Sequence, residues 1–81
     1  MRVRIRLFAR LRDIVGRGEL EREVPAGTTA EWVWNSLAVE YPELTRYVGV
    51  VSCAVREEYS PLTTALEDGD EVAFLPPVSG G

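Results

Sequence analysis

The sequence predicts an α+β fold: a mixed β-sheet with one main helix packed on one face. Three observations predict it. Met1 to Phe8 alternates strictly, with Val3, Ile5 and Leu7 on one side and Arg2, Arg4, Arg6 and Phe8 on the other, the period-2 signature of a half-buried strand. Ala30, Val33, Trp34, Leu37 and Tyr41 recur at helical spacing, and Pro42 ends that run. Two further β-branched runs, Gly49 to Val55 and Glu71 to Leu75, follow after the helix. One helix cannot cover both faces of a sheet, so the other face stays open.

The first strand is followed by a helical turn, Ala9 to Val15, with Leu11, Ile14 and Val15 turned inward and Gly16 as its stop. Arg17-Gly18 makes a turn. Glu19 to Pro25 is a second strand with Leu20 and Val24 as its apolar positions, forming a hairpin with the first. The main helix runs from about Thr29 to Glu40. Thr28 is its expected cap, because Glu31 stands three residues on, the capping-box spacing. Trp32 and Val39 fall on the opposite side of this helix, and Pro42 to Tyr47 starts a short turn. In the third strand Val51, Cys53 and Val55 share a face, which makes Cys53 a small core residue. Arg56 to Tyr59 forms a turn and a short edge strand, and Leu62 and Leu66 anchor the loop beyond it. Asp68-Gly69 is a strong turn dipeptide that launches the last strand at Asp70.

The 81 residues suffice for one small domain with a modest core, and 46% hydrophobic with 27% charged residues is ordinary for a folded chain. No apolar run approaches the roughly 18 residues of a membrane span, and no signal-peptide pattern opens the sequence. With Cys53 alone, no internal disulfide and no cysteine metal cluster can form, and the expected location is cytoplasmic. Histidine and lysine are both absent. That removes the usual general base, the usual metal ligand and the Schiff-base amine, so the chain is a poor candidate for catalysis by itself. A net charge of −4 argues against nucleic acid as a partner. Arg2, Arg4, Arg6, Arg10, Arg12 and Arg17 crowd the first segment, while Glu67, Asp68, Asp70 and Glu71 crowd the approach to the last strand. These patches either solvate opposite edges of the sheet or serve docking.

The sequence closes on Phe74-Leu75-Pro76-Pro77-Val78-Ser79-Gly80-Gly81. Two prolines stop the last strand, because proline lacks the ladder N–H and fixes φ. Residues 1–76 are therefore read as the domain and 77–81 as a flexible tail. Glycine has no Cβ, so Gly80 and Gly81 can enter a narrow slot. The tail reads as a carboxylate on an arm, presented to another protein's active site. If first and last strands are neighbours, Phe8 and Leu75 project side by side from the open face near the tail. They are then either scattered surface residues or a partner surface.

The run Asp68-Gly69-Asp70-Glu71-Val72-Ala73-Phe74-Leu75-Pro76-Pro77-Val78-Ser79-Gly80-Gly81 resembles the small, sulfur-carrier subunit of molybdopterin synthase. Leu7-Phe8-Ala9-Arg10-Leu11-Arg12-Asp13-Ile14-Val15-Gly16 is similar to that family's first strand and following turn. The resemblance spans the whole chain, but the family often places an asparagine where this chain has Arg56. It implies a ubiquitin-like β-grasp fold and a non-catalytic carrier subunit of a two-protein sulfurtransferase. It also implies an adenylating enzyme of the ubiquitin-activating type that binds the tail and ATP, with no cofactor or metal held by this chain. Gly81, supported by Gly80, would cycle between carboxylate, acyl-adenylate and thiocarboxylate. Its sulfur would pass to a cyclic pyranopterin precursor in the large synthase subunit, within a heterotetramer. Phe8, Tyr59, Leu75, Pro76, Pro77, Val78 and Ser79 would dock the partners. Carriers for thiamine or tRNA thiolation, ubiquitin-like protein modifiers, and an adaptor with an inert tail remain as alternatives.

Overall fold

A computed structural model describes residues 1–78. The order is β1 (Arg2–Leu7), α1 (Ala9–Val15), β2 (Glu19–Glu23), α2 (Ala30–Glu40), a 3-10 helix (Pro42–Tyr47), β3 (Ser52–Val55), β4 (Glu58–Ser60) and β5 (Glu71–Leu75). The strands form one sheet in the order β2-β1-β5-β3-β4. β1 and β5 run parallel at its centre, and the other pairs are antiparallel. This is the expected mixed sheet with the main helix on one face. Among the described residues, no helix is long and apolar enough to cross a membrane.

The alternation of β1 buries Val3, Ile5 and Leu7 under α2, where they meet Val72 and Phe74 of β5 and Cys53 and Val55 of β3. α2 contributes Ala30, Val33, Trp34, Leu37 and Ala38, and α1 contributes Leu11 and Val15. Trp34 and Phe74 form the aromatic centre, with ring centroids 5.1 Å apart and a 51° tilt. Gly16 ends α1 in the left-handed region at φ 84° and returns its N–H to the Arg12 carbonyl. Trp32 and Val39 are exposed, as their phase requires.

The Asp68-Gly69 turn fixes β5 against β1. The Arg2 N–H donates to Asp68 Oδ1 at 2.8 Å, Gly69 N–H to the Arg2 carbonyl at 2.8 Å, and Arg4 N–H to the Asp70 carbonyl at 2.9 Å. Ile5 then stands beside Val72 and Leu7 beside Phe74, so both strands present the same parity to the core.

Three readings need correction. Thr29, not Thr28, caps α2: its hydroxyl accepts from the Trp32 N–H, while Thr28 is buried and donates to the Pro25 carbonyl at 2.6 Å. The reason is tertiary. The loop after β4 satisfies the first-turn donors, with Ala30 N–H bonded to Thr64 O and Glu31 N–H to Leu62 O. The third strand starts at Ser52 rather than Gly49, because Gly49 sits at φ 86° and the Val50 and Val51 N–H groups fold back onto the Tyr47 carbonyl. The arginine and acid patches do not lie on opposite edges. β1 is central, and its arginines face acids on both neighbours: Arg2 to Glu23 at 3.1 Å, Arg4 to Glu19 at 3.8 Å and Arg6 to Glu71 at 4.0 Å. Such exposed pairs contribute little individually.

The β3–β4 hairpin turns on Arg56 and Glu57, at φ 52° and 69°. Two-residue hairpin turns with positive φ favour Asn-Gly, and other side chains are strained there. Arg56 offsets its strain by pairing with the buried carboxylate of Asp70, which also accepts from the Glu67 N–H. Glu57 has no such return among the described residues. We expect Glu57→Gly to raise stability by roughly 0.5–1 kcal/mol, and Arg56→Asn to lower it by removing the partner of Asp70. Chemical denaturation of both variants checks this; a loss of stability in Glu57→Gly overturns it.

Candidate functional site

Strand register brings the sequence-predicted docking residues together on the open face of the sheet. Across the middle run Glu19, Arg6, Ala73, Ala54 and Tyr59, one from each strand. One rung nearer the tail, Leu75 pairs with Ser52, and Phe8 follows directly on the Leu7–Phe74 pair. Phe8 and Leu75 therefore stand side by side at the ends of two parallel strands, both half-buried. Phe8 is the N-cap residue of α1, in extended conformation, which directs it off the strand rather than into the helix. The Arg6 guanidinium lies 5.1 Å from the centroid of its ring, a cation–π contact on this face.

Between these anchors and Tyr59 the floor is made by Ala73 and Ala54, both of intermediate exposure. Two alanines at facing positions leave a shallow surface that another protein can approach closely. Their part was missed in the sequence, although their parity, shared with Leu75, was the signal for it. Tyr59 is 78% exposed on the edge strand β4. Its phenol can reach a partner from the rim, away from Phe8.

The chain leaves this face through Pro76, half-buried, and Pro77 and Val78, both exposed; Val78 retains 95% of its accessible surface. Ser79, Gly80 and Gly81, the expected end of the arm and its carrier carbon, lie outside the described residues.

Cys53 is on the other face and is 1% exposed. Its thiol donates to the Ser60 carbonyl at 3.2 Å, and burial pushes its pKa up. A thiol held this way is a poor nucleophile. It is a core residue, as its phase in β3 indicates.

Comparison with known proteins gives the site a context. Residues 5–81 match the ThiS family. The molybdopterin synthase sulfur carrier subunit of Mycobacterium tuberculosis is 37% identical over 100% of this chain and 99% of its own length. Among solved structures, the small archaeal modifier protein 1 of Methanosarcina acetivorans superposes with a TM-score of 0.80 at 32% identity, covering 99% of this chain and 96% of that one. The complex of subunits 1 and 2 of the molybdopterin-converting factor of Helicobacter pylori contains a chain with a TM-score of 0.67 at 26% identity, with full coverage of both. The β-grasp architecture and the full-length match place this chain in the ThiS family, among relatives that include molybdopterin synthase sulfur carrier subunits.

Proposed function

We propose that this chain is the sulfur-carrier subunit of a molybdopterin synthase, loaded at Gly81 and docked through the open face of its sheet. The observation that carries the reading is the placement of Phe8 and Leu75 as an apolar pair at the root of the Pro76-Pro77 arm, which is exposed from Pro77 onward. Docking of the face sets the arm's direction. Two prolines stiffen it, which reduces the entropy lost when the tail enters a slot.

The chemistry follows from what the chain lacks. A carboxylate is inert to sulfur nucleophiles until it carries a good leaving group. The Gly81 carboxylate attacks the α-phosphate of ATP in an adenylating partner, and pyrophosphate leaves. A persulfide then attacks the acyl carbon and AMP leaves. Thiol cleavage of the resulting acyl disulfide yields the thiocarboxylate. Its sulfur next attacks the pterin precursor in the large subunit and displaces an oxygen leaving group from the precursor carbon; water then cleaves the acyl–sulfur bond, returning the Gly81 carboxylate, and two such transfers build a dithiolene. Imidazole and ammonium groups for these steps come from the partners, since this chain has no histidine or lysine.

Support for the large-subunit partner comes from the Helicobacter pylori complex of subunits 1 and 2, which contains a chain that resembles this one. A heterotetramer is the expected assembly. The similarity to a small archaeal modifier protein favours a second reading, attachment of Gly81 to a target amine. Incubation with the activating enzyme, ATP and a sulfur donor separates them. A carrier gains one oxygen-to-sulfur exchange at its C-terminal peptide and then converts the precursor to dithiolene. A modifier gives isopeptide-linked products. Absence of the exchange at Gly81 sinks the carrier reading.

Docking is tested separately. Phe8→Glu and Leu75→Glu are each expected to weaken the complex with the large subunit by more than about 2 kcal/mol, near 30-fold in Kd. Normal binding by both, measured calorimetrically, removes the open face from the interface.

A further inference from the structure

The sheet has a second edge, far from Tyr59, and its pattern points to another partner. In an antiparallel pair the backbone groups alternate between the neighbour and the outside. Val24 exchanges bonds with Met1, and Leu7 N–H reaches the Gly18 carbonyl, so Leu20, Arg22 and Val24 face β1. The N–H and C=O groups of Glu19, Glu21 and Glu23 therefore point away from the sheet, a ladder unfilled among the described residues.

Side chains sort with equal clarity. Glu19, Glu21 and Glu23 line the open-face side of this edge and are exposed. On the helix side, Leu20 and Val24 are buried, and Trp32 of α2 is the next apolar surface outward, at 46% exposure. Trp32, Val24, Ser36 and Leu37 help line a cleft of about 100 Å³ between β2 and α2. A shallow groove of about 490 Å³ runs along Arg17 to Arg22 beside it.

A second copy of the chain is a poor occupant. Antiparallel pairing of β2 with β2 sets glutamates against glutamates on one face, and like charges directly opposite are destabilising. Arg22 cannot relieve this. It lies on the other face, and Glu40 holds its guanidinium through two bonds of 3.0 Å. The pattern that fits β2 is the one it already accepts on its inner side. There Arg2, Arg4 and Arg6 oppose Glu23, Glu21 and Glu19, while Val3 and Ile5 turn to the apolar layer. We propose that the β2 edge, together with Trp32, docks an extended protein segment alternating cationic and apolar residues, added as a sixth strand. The cations would face the glutamates and the apolar side chains would cover Trp32. This surface is separate from the tail and the open-face anchors, so it stands whatever Gly81 carries.

The test titrates the isotope-labelled full chain with a peptide of about eight residues, a usual strand length, alternating arginine and valine. Amide shifts are expected at Glu19, Glu21 and Glu23 and at the Trp32 indole, with β4 unmoved. Glu21→Pro removes an outward N–H while leaving the β1 ladder bonds, and should weaken binding about tenfold; Trp32→Ser should do likewise. Should Glu21→Pro disturb β2 itself, Glu21→Arg keeps the strand. It should weaken the arginine peptide and improve binding of one alternating glutamate and valine. Shifts confined to β4 or the open face, equal binding of the glutamate peptide by the unmodified chain, or a β2-linked dimer would each overturn the proposal.

Discussion

Deleting Gly81 is expected to lower sulfur transfer to the pterin precursor by more than about 100-fold while leaving the thermal midpoint unchanged. The reason is reach. Removing one residue moves the terminal carboxylate back by about 3.5 Å along an extended arm. Reacting atoms tolerate little such error, since a misplacement near 1 Å already costs about 100-fold. Nothing in the fold compensates, because the arm leaves the domain at Pro76 and Val78 is already almost fully exposed. The control is Cys53→Ala. Cys53 is the one other group able to carry sulfur, but its buried thiol bonded to Ser60 O is held protonated. This variant should transfer sulfur normally at a cost of about 1 kcal/mol in stability. Mass analysis of the reacted peptides and single-turnover dithiolene assays decide the matter. Sulfur found on Cys53, or transfer surviving the Gly81 deletion, ends the mechanism.

The largest stability effect is expected at Phe74→Ala, a loss of about 3–5 kcal/mol. Phe74 is fully buried, stacks at 5.1 Å against Trp34, and sits between Leu7 of β1 and Cys53 of β3. Removing it empties the point where the helix meets the central strands. An 81-residue domain has only about 4–12 kcal/mol of stability, so the loss is a large fraction of the total. At about 4–8 °C per kcal/mol for a domain of this size, the midpoint should fall by roughly 12 °C or more. Leu75, next in sequence, points to the open face, so Leu75→Ala should cost far less. Equal effects at both positions would contradict the assigned parity of β5.

These two neighbours show how far the sequence reaches. Parity along β1 and β5 separates Phe74 from Leu75 and Leu7 from Phe8 without coordinates, because a strand turns alternate residues to opposite faces. The helical phase of α2 separates Trp34 from Trp32 in the same way. Gly16 and Asp68-Gly69 announce their turns through local backbone chemistry. The motif ending in Gly80-Gly81 pointed to the family that the full-length match confirms. All of these are properties of short stretches, where the side chain and its own backbone settle the outcome.

What lay beyond reach depends on residues distant in sequence. Thr29 replaced Thr28 as the cap because Leu62 O and Thr64 O already serve the first-turn donors of α2. The arginines of β1 met Glu19, Glu23 and Glu71 because β1 lies inside the sheet, a position its alternation alone does not reveal. Ala73 and Ala54 became the floor between the apolar anchors and Tyr59 only once β5 entered between β1 and β3. Arg56 and Glu57 hold a strained turn because the Arg56–Asp70 pair is available from fourteen residues away. By itself the sequence determined the elements and their inward faces. Only the tertiary structure decided which elements are neighbours, because strand order follows from burying the apolar faces of the whole chain at once, and no local pattern records that sum.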